Sequence, residues 1–80
     1  MQGMEEYSKV LRAWRKAHNY TIEAAANLMG VSTRTICFWE AGQRRPDPWR
    51  LYRMYLLGRP DVARCARDML RAMGEEYAVP

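Results

Sequence analysis

Arg34 and the adjacent pair Arg44 and Arg45 stand out by type and place. A guanidinium is always charged and carries a planar fork of donors, which fits a carboxylate, a phosphate or the two acceptors on the major-groove edge of guanine. Thr33, Cys37 and Phe38 lie one, three and four positions from Arg34, so a helix through them would present all four on one side. Such a set recognises rather than transforms. The inventory for catalysis is thin: one histidine, His18, no glycine-rich phosphate loop and no paired carboxylates at useful spacing. Cys37 and Cys65 have no cysteine or histidine at ligand spacing, so the expectation is two free thiols, with no metal and no cofactor. His18 is expected on a last helical turn, where the dipole accounts for it without catalysis.

These side chains are positioned by Thr21 to Gly42, TIEAAANLMGVSTRTICFWEAG. Thr21 is a helix N-cap, the alanine-rich IEAAANLM is its helix, and Gly30 ends it by entering the left-handed conformation at no Cβ penalty. Ser32 caps a second helix, in which Ile36 and Trp39 face inward with Val31 just before the cap. Thr33, Arg34, Cys37, Phe38 and Ala41 form the opposite face. Small Ala25 and Ala26 let the two helices cross closely. The spacing describes a helix-turn-helix.

Upstream, Tyr7, Val10, Leu11 and Trp14 follow the spacing of a buried stripe on a first helix that begins near Glu5 or Glu6. Lys9, Arg12 and Lys16 lie off that stripe and are expected in solvent, a phosphate contact being the sharper alternative. Asn19 closes this helix with a left-handed cap. Downstream, Asp47-Pro48 is an N-cap and first-turn pair opening a fourth helix through WRLYRMYLL to Gly58. Arg59-Pro60-Asp61 opens a fifth, whose stripe of Val62, Cys65, Ala66, Met69, Leu70 and Met73 runs to Gly74. The expected fold is all-α, five helices in a single compact domain over residues 1–80, with a loosely ordered tail.

Without the four glutamates of the tails, residues 7–74 hold thirteen basic against five acidic residues, a formal +8. That balance attracts polyanions. No apolar run approaches membrane-spanning length and no signal peptide is recognisable. The expectation is a cytoplasmic chain, on the nucleoid when bound, with no membrane partner.

Thr21, Glu23, Ala26, Met29-Gly30-Val31-Ser32, Thr35-Ile36, Trp39-Glu40 and Gly42 resemble the Cro and phage-repressor (XRE-type) family of helix-turn-helix DNA-binding domains. Leu11-Arg12-Ala13-Trp14-Arg15 is similar to that family's first helix, and Arg44-Arg45-Pro46 to its basic loop before helix four. The resemblance spans about Val10 to Gly58. It implies a lambda-repressor-like fold and sequence-specific binding of double-stranded DNA, as a repressor of phage or mobile-element type occupying a palindromic operator, with no small-molecule ligand. It implies base contacts from Thr33, Arg34, Cys37 and Phe38, phosphate contacts from Thr21, Ser32, Gln43, Arg44 and Arg45, and an ion pair between Arg15 and Glu40. The chain departs from the family at Ile22 and Thr33, where glutamines are usual, and at Asn19, usually glycine. Tyr20 occupies the place of an apolar residue that plugs the core.

A single recognition helix reads only a few base pairs, so a homodimer on half-sites about one helical turn apart is expected. The apolar surplus after Pro46 suggests that residues 47–80 supply the twofold contact, through Met69, Leu70 and Met73 with Tyr55 or Tyr77 beside them. The alternatives are that these residues cap the monomer core, or that the surplus grips another protein, as in antitoxin-like modules that also bind DNA.

Overall fold

A computed structural model describes residues 5–75, which form five helices and no strand among them. They are α1 (Glu6–Ala17), α2 (Ile22–Met29), α3 (Thr33–Glu40), α4 (Pro48–Leu57) and α5 (Pro60–Ala72). Local chemistry sets most of the boundaries. Thr21 accepts a hydrogen bond from the Ala24 N–H, Ser32 from that of Thr35, and Asp47 from that of Trp49, each satisfying a donor that the first helical turn leaves free. Proline opens both α4 and α5, where its missing N–H costs nothing. Asn19 stands in the left-handed region at φ 58°, the tolerant closure that its type allows.

One core joins all five helices. Tyr7, Leu11 and Trp14 come from α1, Ala25, Ala26 and Met29 from α2, Ile36 and Trp39 from α3, and Leu51 and Met54 from α4. Val62, Cys65, Ala66, Met69 and Leu70 fill its α5 side. α4 packs along α5, α5 also packs on α1, and α2 and α3 pack on each other, with α3 against α1. The helix-turn-helix is therefore braced from behind by α1.

The structure corrects one expectation and adds a partner to two others. Met69 and Leu70 are 0% exposed within a single chain, because the α5 stripe is consumed by α1 and α4; they have no surface to offer a second copy. Tyr20 packs half-buried against the core, its ring 5.2 Å from that of Trp14, and its hydroxyl also donates to Asp61 Oδ2 at 2.8 Å, tying the α1–α2 turn to the start of α5. Arg12 is not merely solvated, since its Nε lies 3.5 Å from Glu40 Oε1. The apolar surplus stands on α4, where Trp49 is 63% and Leu57 78% exposed and Leu56 is exposed too. Tyr77 lies outside the described residues.

Candidate nucleic-acid interface

Gly30 gives the α2–α3 connection its form. At φ 72° it takes the left-handed conformation at the end of α2, while the Val31 N–H returns to the Ala26 carbonyl at 3.0 Å. The chain reverses within Gly30 to Ser32, and α3 begins at Thr33. Ile36 and Trp39 then point into the core, which forces Thr33, Arg34 and Cys37 outward. All three are exposed and Phe38 is half-buried.

Behind α3, Arg15 Nε donates to Glu40 Oε2 at 2.6 Å and its Nη2 to Glu40 Oε1 at 3.0 Å, a bidentate pair. The third arm, Nη1, donates to the Tyr20 carbonyl at 3.1 Å. Hydrogen bonding to Glu40 raises the Arg15 pKa further above its ordinary value, so the charge is permanent. One guanidinium thus locks α1, the turn after it and the end of α3.

Past α3 the chain makes another left-handed turn at Gly42, φ 72°. Here a side chain would be crowded as well as strained, because a Cβ would stand 3.3 Å from Ser8 Oγ. The close approach lets the following loop settle on α1, where the buried Tyr7 hydroxyl donates to the Arg44 carbonyl at 2.9 Å. Burial pushes the Tyr7 pKa up, so it stays a donor. The Arg44 guanidinium carbon lies 4.8 Å from the centre of the Phe38 ring, and that of Arg34 lies 5.7 Å from it. Arg45 Nη2 donates to the Met73 carbonyl at 3.1 Å, at the end of α5.

Between α3 and the start of α4 lies a cleft of about 210 Å³ lined by Thr35, Phe38, Trp39, Arg44, Arg45, Asp47 and Arg50. Three arginines against one aspartate give this lining a net positive charge, which favours anions. Arg50 was missed in the sequence, although its position three residues after the Asp47 cap places it on the first turn of α4.

A family model described as helix-turn-helix matches residues 11–54, from α1 through the turn, α3 and the basic loop into α4. The chain belongs to the XRE-type, Cro-like helix-turn-helix family. Among curated proteins and solved structures, no match was found. XRE-type helix-turn-helix proteins are DNA-binding regulators, and here α3 is the element that such a protein presents as its recognition helix.

The structure brings the expected contact residues of this XRE-type chain into two groups. Thr33, Arg34, Cys37 and Phe38 share the outer side of α3, and Gln43, Arg44 and Arg45 follow its end, all three exposed. Thr21 and Ser32 are exposed caps of α2 and α3 whose oxygens accept from the backbone N–H groups of Ala24 and Thr35. Ser32 Oγ also lies 2.9 Å from Thr35 Oγ1. Cys65 is buried, which pushes its thiol pKa far up and leaves it inert, whereas Cys37 is exposed. Tyr55 and Met73 are half-buried. No described helix is long and apolar enough to cross a membrane.

Proposed function

We propose that this chain is a sequence-specific transcriptional repressor that occupies a palindromic operator as a homodimer. The observation that carries the reading is an exposed Arg34 on a braced α3, followed directly by the arginine-lined cleft. α3 enters the major groove, where Arg34 takes guanine O6 and N7 with its fork while Thr33 and Cys37 touch neighbouring base edges. Arg44, Arg45 and Arg50, with Gln43, take backbone phosphates at the groove edge. The capping hydroxyls of Thr21 and Ser32 and the free N–H groups at the start of α2 take others, which offsets the absence of a glutamine at Ile22.

With Met69 and Leu70 consumed by the core, the twofold contact falls to the exposed side of α4, Trp49 and Leu56, with the half-buried Tyr52 and Tyr55 and with Met73. Trp49 stacks on Tyr52 with ring centres 5.8 Å apart, and Tyr52 meets Tyr55 at 6.2 Å, a continuous aromatic row. A second reading, an interaction module that grips another protein while also binding DNA, draws on Leu57, whose 78% exposure is large for a leucine.

Selection of binding sites from a random duplex pool, with light scattering of the complex, tests both. Enrichment of a palindrome bound by two copies supports the repressor reading. Recovery of no sequence preference would overturn it.

A further inference from the structure

We infer that Phe38 is a positioning residue, a platform that holds Arg34 and Arg44 together so that base reading and backbone contact are set by one ring. The inference deepens the proposed DNA-binding function and rests on it. The spacing of Arg34 and Phe38, four residues apart on α3, puts the guanidinium beside the ring, 5.7 Å from its centre. Arg44 comes from the loop beyond Gly42 and lies closer, at 4.8 Å. Its arrival there is built in from below, because the Tyr7 hydroxyl fixes the Arg44 carbonyl and thereby the origin of the side chain.

The arrangement has an electrostatic logic. Each guanidinium is attracted by the negative face of the ring, but two cations gathered at one ring repel each other. An anion relieves that repulsion, and the cleft that Arg44 and Phe38 line with Arg45 and Arg50 is open to one. A phosphate seated on Arg44 therefore makes the Arg34 position easier to hold, and ordering Arg34 on the ring before contact removes part of its rotamer freedom in advance. Phe38, half-buried and flanked by both arginines, acts chiefly through them rather than by direct apolar contact with a thymine methyl.

The test is a set of double-mutant cycles on the selected duplex, combining Phe38→Leu with Arg34→Ala and with Arg44→Ala. Phe38→Leu keeps an apolar side chain but removes the ring. It is expected to weaken binding about tenfold, to relax preference at the base pair that Arg34 reads, and to add little in the Arg34→Ala, Arg44→Ala background. Phe38→Tyr, which keeps the ring, is expected to restore parent-like selection. Additive losses in both cycles, or lost preference at an A·T pair alone, would overturn the platform while leaving DNA binding intact. A parent that binds no duplex would remove the proposed function and this inference with it. NMR of the free parent supplies a reading that needs no folded variant: ring-current displacement of the Arg34 and Arg44 side-chain protons is expected, and its absence would overturn the placement.

Discussion

Glu40 is 4% exposed, and its carboxylate receives Nε and Nη2 of Arg15 at 2.6 and 3.0 Å, with Arg12 Nε 3.5 Å away. The buried carboxylate is fully served, so the end of α3 cannot shift without stranding a charge. Glu40→Ala is expected to destabilise by about 3 kcal/mol, the low end for breaking a buried pair from one side. Arg15→Ala is expected to cost less, because Arg12 remains beside the carboxylate. Chemical denaturation of the two variants checks the order, and equal or negligible losses would contradict it.

Arg34→Ala is expected to weaken binding to the selected site by about 1–3 kcal/mol and to relax preference at one base pair. Stability should be unchanged, since the side chain is exposed. Site selection with the variant reads this directly; an identical selected sequence would move the base reading elsewhere on α3.

Replacing Arg44 or Arg50 with alanine is expected to lower the slope of log affinity against log salt by about 1 each, on any sequence. Arg45→Ala should do the same and also melt at a lower temperature, because it removes the donor on the Met73 carbonyl. A triple variant with the parent's salt slope would place all three away from phosphate.

Leu70 and Leu56 separate core from interface. Leu70→Ala should cost about 2–5 kcal/mol, as expected for a fully buried leucine, whatever the oligomeric state. Leu56→Glu and Trp49→Glu should fold as the parent does but sediment as monomers and bind operator more weakly. If both remain dimeric, the twofold contact is not on the exposed side of α4.

The hydrogen bond from Tyr20 to Asp61 should show in the pH dependence of stability. Burial alone would raise the Asp61 pKa, but the Tyr20 hydroxyl, Arg59 and the backbone N–H groups of Val62 and Asp61 together outweigh it and hold the carboxyl below its ordinary value. A carboxyl depressed in the folded state stabilises above its unfolded pKa, and that contribution disappears as pH falls through the lower, folded value. Tyr20 is raised, first by its bond to Asp61, so its contribution is present below the ordinary tyrosine range and disappears in alkali. Tyr20→Phe should therefore lower the melting temperature at neutral pH and flatten its fall toward acid. Parallel parent and variant curves across the acid range would show that the bond contributes nothing.

The helices and their turns were legible in the chain because their signals are local. Thr21, Ser32 and Asp47 cap donors two or three residues away, Gly30 and Asn19 occupy left-handed positions that few other residues tolerate, and the periodicity of Ile36 and Trp39 fixes which side of α3 faces out. The family, too, was legible, and through it the Arg15–Glu40 pair, which no spacing of 25 residues could have suggested. Tertiary structure decided what depends on how the helices cross. Met69, Leu70, Trp49 and Leu56 are alike in hydrophobicity, but α1 and α4 cover the first two, whereas among the described residues Trp49 and Leu56 stay exposed. Arg12 joins Glu40, Tyr20 finds Asp61 across 41 positions, and Arg44 folds back onto Phe38. Each is a long side chain whose partner is chosen by reach in three dimensions, a quantity that residue type and local periodicity do not contain.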